Sequence, residues 1–345
     1  MCWLDTGADT DRLAKSLSSL GALLRAGALA QSSRMHYSRQ WKGWCEMMHY
    51  NPWLASSDLD RNAEQLGAFA VYLWRFGMNR RHVGNTYSTI CSKLCPVRWF
   101  HRNTAGYDPG VNASHAILLR GIRRFTDPVV KQQPLTARLL RCIFEDVDLP
   151  QPHDQLLWGG LLLGYFFLLR RSEYLYIGKN VHSYVLRLAA IQFFDKNEQV
   201  VAPKRAEVIG ITLKGAKNNQ FGREEVRYHY KSGDSLLCPV RAARWVYKAA
   251  AVIATEPDDP ALSLKHGVIS SEKISTTIKK AASKCGFDPA RYSTHSVLIG
   301  GATALLNAGA DRLIIKLMGR WLSNFFEDYP VLSAKGTSDL SRSMC

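Results

Sequence analysis

The chain has 345 residues, with 45 lysines and arginines against 29 aspartates and glutamates. A length of this order accommodates two domains, and a hydrophobic content of 46% excludes a disordered chain and provides for a large core. Residues 1–130 carry 16 basic and 9 acidic side chains and the remainder 29 and 20, so the positive excess lies in both halves and is not a basic tail. That distribution fits a protein that closes around a polyanion, although charge alone also admits a soluble basic protein with no such partner.

In chain order, the stretch from Leu17 to Ala30 is apolar, but Arg25 interrupts it and Asp5, Asp9 and Asp11 precede it. This is the wrong flank for a secretory signal. No uncharged run reaches membrane-spanning length, so no membrane partner is expected. The segment "SSRMHYSRQWKGWCEMM" places Tyr37, Trp41, Trp44 and Met48 at helical spacing, with Arg34, Arg39 and Lys42 on other faces. The aromatic stripe reads as core rather than as a base-stacking surface. "NAEQLGAFAVYLWRFG" and "VGNTYSTICSKLCPVRWFHR" read as further helices, and Arg80, Arg81, Lys93, Arg98 and Arg102 around them are the candidate phosphate contacts.

Two prolines and a run of long polar side chains in "DPVVKQQPLT" predict a linker over 128–136, between a helical domain at 1–127 and a second domain at 137–345. Thr136 is placed as the N-cap at the start of "LTARLLRCIFEDV". "HDQLLWGGLLLGYFFLLRRSEYLYI" is almost wholly apolar up to Arg170, which predicts a buried helix ending in a charged cluster. The period then changes. "SYVLRLAAIQFFD", "AEVIGITLKGAKN" and "EEVRYHYKSG" alternate and are rich in β-branched residues, which predicts a small antiparallel sheet. "CPVRAARWVYKAAAVI" and the sequence on to Trp321 return to helix. The fold class expected is mainly α with a small antiparallel β-sheet.

The eight cysteines are scattered, with no paired Cys-x-x-Cys set. No zinc or other metal is therefore expected, and Cys91 and Cys95, four apart, read as core thiols. A long chain of this kind belongs to a reducing compartment. The expected location is intracellular, in the nucleus of a eukaryotic host and otherwise in the cytoplasm.

Four separated segments carry chemistry. In "LLRRSEYL", Arg170 and Glu173 are three apart and would share a helix face, so that a guanidinium can grip a phosphate while the carboxylate orients it. The bland alternative is a surface ion pair. In "LKGAKNNQFG", Lys214 and Lys217 flank a glycine in a strand–turn–strand, where a lysine can protonate a leaving alkoxide. His295 opens an apolar helix, whose N-terminus also attracts anions. "MGRWLSNFFEDYP" closes the series with Arg320, Trp321 and Tyr329.

These four segments, in this order and spacing from about Thr136 to Pro330, resemble the tyrosine recombinases, the phage-integrase family. The Gly-Arg-Trp form is similar to integrases of eukaryotic mobile elements. The first half resembles the family's helical core-binding domain in layout. The resemblance implies a catalytic set of Arg170, Glu173, Lys217, His295, Trp321 and the nucleophile Tyr329, with Lys214 the reserve for the catalytic lysine and otherwise a DNA contact. Trp321 is preferred over Arg320 for the position the family fills with histidine or tryptophan, and Arg320 is then left to bind DNA. Position 298, where the family pattern has its second catalytic arginine, holds Leu298, which puts cleavage in question; Arg320 and Arg291 are the alternative sources of that charge. The implied activity is integration or recombination of DNA by strand exchange through a 3′-phosphotyrosine, without cofactor, on double-stranded DNA, with four protomers pairing two sites. A DNA-binding relative that does not cleave, and a type IB topoisomerase-like nicking enzyme, are the alternative readings. The tail after Tyr329, with Val331, Leu332 and Leu340, is expected to dock on a neighbouring protomer.

Overall fold

The computed structural model describes residues 10–126, 130–178, 180–216, 219–324 and 327. Lys217, Tyr329 and the tail after it therefore lie outside the described residues. The chain divides into two compact units, 1–129 and 130–345.

The first unit is helical: α1 (Thr10–Gly27), α2 (Gln31–Met47), α3 (Leu59–Phe76), α4 (Tyr87–Thr104) and α5 (Ala113–Phe125). The aromatic stripe of α2 turns inward as expected. Trp44 is fully buried against Phe69 of α3, and its indole N–H donates to the Pro52 carbonyl at 2.8 Å. With Leu66, Leu73, Ile90 and Val97 it forms the core of this unit. Asp58 and Asn112 cap the N-termini of α3 and α5 with their side-chain oxygens, satisfying amides that have no partner within the helix.

The second unit contains α6 (Ala137–Phe144), α7 (Pro152–Phe166), the one-turn α8 (Arg171–Tyr174), β1 (Ile191–Phe194), β2 (Val208–Ala216), β3 (Asn219–Tyr230), α9 (Pro239–Ile253), α10 (Ser271–Lys284), α11 (His295–Asn307) and α12 (Arg312–Met318). The Thr136 hydroxyl caps α6, accepting from the Leu139 amide at 3.3 Å. The three strands run antiparallel in the order β1–β2–β3. Ile209, Ile211 and Leu213 of β2 alternate into the core, as period-two patterning requires. Mainly helical architecture with one small antiparallel sheet is thus the observed fold class.

Two expectations are corrected here. The segment 130–136 is not a free linker but part of the second unit. The Gln133 amide donates to the Arg291 carbonyl at 2.8 Å, the Leu135 amide to the Ser296 carbonyl at 2.9 Å, and Leu135 is fully buried. The apolar helix does not run to Arg170 either; it stops at Phe166. Leu168 takes a left-handed conformation (φ 50°), the Leu169 amide bonds back to the Gly164 carbonyl at 3.0 Å, and Arg170 then begins α8 as its N-cap residue. This closure is the one glycine usually provides at a helix C-terminus; here complete burial of Leu168 holds it.

α7 is buried on every face and is the axis of the unit. α9 lies along it where Gly159 brings the backbones together: a Cβ at Gly159 would come within 2.7 Å of the Ala242 carbonyl oxygen. α11 meets the other end of α7 in the same manner. A Cβ at Gly301 would lie 2.1 Å from the Tyr165 carbonyl oxygen, and one at Gly300 2.2 Å from that of Leu135.

Candidate active site

The turn at Leu168 sets the geometry of Arg170 and Glu173. As the third residue of α8, Glu173 reaches back to the start of its own helix and accepts from the Arg170 amide at 2.8 Å. Its other oxygen accepts from Arg170 Nη1 at 3.0 Å, and Arg170 Nη2 donates to the Arg320 carbonyl at 3.2 Å. Glu173 is 1% exposed. An isolated carboxylate at such depth would be strongly unfavourable, and a second guanidinium offsets the cost: Arg320 Nη2 donates to Glu173 Oε2.

Arg320 is thereby taken off the DNA-binding surface where the sequence placed it. Its backbone is left-handed (φ 53°), its side chain is 4% exposed, and its Nε and Nη1 have no hydrogen-bond partner among the described residues. Burial pushes its pKa down while Glu173 pushes it up. The neighbouring Trp321 turns the other way and packs with Leu168, Leu298, Ala302 and Ile315. β3 braces this corner: Arg227 Nη2 donates to the Leu317 carbonyl at 2.9 Å, and His229 Nε2 pairs with the Phe166 carbonyl at 2.8 Å.

α11 delivers His295. The Ser293 hydroxyl accepts from its amide at 3.2 Å, and Ser296 Oγ accepts from the Ser293 amide at 3.1 Å, so the helix start is closed by its own serines. His295, Arg170, Leu298 and Trp321 all border one cleft of about 820 Å³, with Arg171 and the α10 side chains Ser275, Thr276 and Lys279 on the remaining walls. His295 keeps an exposed surface, yet its imidazole pKa is held below the ordinary value, first by desolvation from the atoms packed around the ring and then by the charges of Arg171 and Arg170. A neutral ring at neutral pH follows. Leu298 is 3% exposed and joins the apolar cluster with Trp321. Arg291, considered as a replacement charge, lies elsewhere and donates to the Lys131 carbonyl at 3.5 Å.

Of the sequence-predicted residues, the cleft thus unites Arg170, His295, Leu298 and Trp321, with Glu173 and Arg320 behind them. Lys214 stands apart on β2, exposed, paired with Glu224 across the ladder at 3.5 Å. The ladder is irregular between Lys214 and Ala216, and Gly215 takes φ 94°, where the chain approaches the hairpin turn. Arg171, Ser275, Thr276 and Lys279 were not singled out in the sequence; for Arg171 the signal was present, as the second arginine of "LLRRSE".

Among the expected phosphate contacts of the first unit, Arg80 and Arg81 are exposed. Lys93 is not available: it is 8% exposed and its ammonium donates to the Gly77 and Met78 carbonyls at 2.6 and 3.0 Å. It secures the turn after α3, and burial lowers its pKa. Arg98 forms a two-pronged bond to Asp108, at 2.9 Å on each oxygen, and Arg102 approaches the same carboxylate at 3.7 Å. Among the described residues there is no cluster of three or more metal-ligating side chains, and no helix is long and apolar enough to cross a membrane.

No protein-family model matches the sequence, and no curated protein matches it. Solved structures do. The Tn1549 transposon integrase, solved in complex with transposon right-end DNA, aligns with a TM-score of 0.55 at 10% identity, over 94% of this chain and 98% of that one. A second structure of the same integrase, with circular-intermediate DNA, gives 0.54 at 13% identity over the same shares. A lambda integrase dimer bound to a COC′ core site gives 0.50 at 12% identity, over 92% of this chain and 77% of that one. The fold of this chain is therefore the tyrosine-recombinase fold.

Proposed function

We propose that the protein is a DNA strand-exchange enzyme of the integrase type, acting on duplex DNA through Tyr329. The observation that carries this reading is the convergence of Arg170 and His295 on one cleft, with the buried Glu173 fixing Arg170 from behind. A site built this way grips a phosphodiester by a preorganised guanidinium, the arrangement that stabilises charge developing on a phosphoryl group. Tyr329 Oη attacks phosphorus and the bond to the 5′ oxygen breaks, leaving a 3′-phosphotyrosine that preserves the bond for rejoining. The phenolic proton passes to His295, which its surroundings keep neutral, and Lys217 protonates the departing oxygen. Trp321 shields the pocket on its apolar side. Pairing of two DNA sites would use four protomers, with the tail after Tyr329 as their link.

The test is a duplex nicked beside the cleavage position, so that the short 5′ product escapes and the adduct is trapped. The expected result is a protein–DNA adduct stable to denaturation, absent from Tyr329→Phe, which still binds DNA. A second reading, a relative that binds DNA without cutting it, draws on Leu298, whose place in the apolar cluster leaves no cation on that wall of α11. Binding without any adduct would select it. Relaxation of supercoiled plasmid by a monomer would instead indicate a topoisomerase-like nickase.

A further inference from the structure

Two arginines stand side by side at the start of α8, and the structure uses them differently. Successive residues at a helix start point in different directions. Arg170 turns inward, its side chain 15% exposed, with one terminal nitrogen committed to Glu173 and the other to the Arg320 carbonyl. Arg171 turns outward, into the cleft that His295 and Leu298 also border. It is exposed, and its side chain makes no hydrogen bond or ion pair among the described residues.

The position of its charge is marked by its neighbours. Arg171 and His295 border the same cleft, and the charges of Arg171 and Arg170 both lower the His295 pKa. Among the described residues the one carboxylate on the cleft wall, Glu272, also feels Arg171, but as the least of several influences. That carboxylate is already engaged by its own amide and by the Ser271 hydroxyl, which donates to it at 3.0 Å. Among the described residues Lys279 is the remaining cation on the wall. A lysine offers a point charge, whereas a guanidinium offers a planar fork matched to two phosphate oxygens.

We propose that Arg171 is the second phosphate-gripping arginine of this site, supplying from α8 the charge that Leu298 does not supply from α11. The proposal rests on the strand-exchange reading. Arg170, held rigidly, meets one non-bridging oxygen of the scissile phosphate, and Arg171 meets the other. Leu298 is then free to serve the apolar cluster that seats Trp321, and the loss of an arginine there does not leave the site a charge short. No bond to Arg171 forms or breaks; its work is electrostatic.

The experiment compares the full-length protein with Arg171→Ala, Arg171→Lys, Tyr329→Phe and Lys265→Ala, an exposed lysine outside the cleft. Adduct formation is timed on the nicked duplex at saturating protein, with duplex affinity and melting temperature measured alongside. The expected result is a Tyr329-dependent adduct whose rate falls by about 10²–10³ in Arg171→Ala, the order seen on removing one transition-state donor. Affinity should change by no more than a few-fold and melting not at all. Arg171→Lys should recover part of the rate, and Lys265→Ala should match the starting protein. An Arg171→Ala rate equal to that of the starting protein overturns the proposal and leaves the strand-exchange reading standing. So does a loss of rate fully accounted for by lost affinity or a lowered melting temperature. Absence of any Tyr329-dependent adduct overturns the strand-exchange reading, and this proposal with it.

Discussion

At the residue scale, the centre of the site is one carboxylate between two guanidiniums. Glu173 holds Arg170 through side chain and backbone, and holds Arg320 from 147 positions further along the chain. Removing one partner from a buried ionic group costs about 3–5 kcal/mol, because the charges left behind have no compensation. Glu173→Gln keeps the shape and removes the charge, so it should lower the stability of the second unit by that order, read as a fall in urea midpoint. Glu173→Asp should fall less. The local half of this arrangement was legible: an arginine and a glutamate three apart after an apolar run. The distant half was not, because nothing in "MGRWLS" says that its arginine folds inward while its tryptophan turns to the apolar cluster. Lys93 and Arg98 mislead for a related reason. Positive residues on a helical domain read as surface, yet one caps buried carbonyls and the other is matched to Asp108. His115 gives the residue scale its pH dependence. It is 2% exposed, neither ring nitrogen has a partner among the described residues, and burial lowers its pKa. The unfolded chain takes up a proton that the folded one refuses, so stability is full above the ordinary histidine pKa of about 6.5 and declines as pH falls below it. His115→Leu should flatten that decline in thermal melts between pH 7.5 and pH 5, by up to about 1.4 kcal/mol per pH unit below the ordinary value; an unchanged acid slope would contradict it.

At the scale of elements, the position of His295 depends on how closely α11 approaches α7. Gly301 makes that approach possible, with the Tyr165 carbonyl oxygen of α7 2.1 Å from where its Cβ would be, while Gly300 lets Leu135 come as close from the segment before α6, its carbonyl oxygen 2.2 Å from the Cβ position. An alanine ordinarily favours a helix by about 1 kcal/mol over glycine. Here the obstacle is backbone rather than a yielding side chain, so the sign reverses. Gly301→Ala should lower the melting temperature and, even where the protein folds, reduce adduct formation more than DNA affinity, because α11 must shift and His295 with it. The apolar run, the strands and the return to helix were readable from period alone. The end of α7 was not. Chain reversal there uses a leucine in a conformation that glycine normally marks, and only tertiary burial reveals the break. In the same way, "KQQPL" has linker composition but is held by backbone bonds to residues about 160 positions away, which composition does not encode.

At the scale of the whole molecule, the positive excess divides almost evenly between the two halves. Each unit has a separate apolar core. Residues 1–129 and 130–345 expressed separately should therefore each fold, and each should bind duplex DNA more weakly than the intact chain. Log affinity of the intact chain should fall with log salt at roughly 0.9 per phosphate contact, more steeply than for either piece; equal slopes for whole and parts would show that one unit alone meets the DNA. Arg80→Ala should reduce the slope, whereas Lys93, being internal, affects folding and not the slope.

The pairing of Arg170 and Arg320 with a single Glu173 has a kinetic consequence. Two cations and one anion leave an uncompensated positive charge, and Arg320 is buried where dissolved ions cannot approach it. Mobile ions screen charges that face solvent far more than charges that do not. Added salt should therefore slow the encounter, which depends on the exposed arginines and lysines, while barely shortening the residence of a phosphate once it is seated beside Arg170. In stopped-flow measurements at rising ionic strength, the association rate should carry nearly all of the salt dependence and the dissociation rate very little.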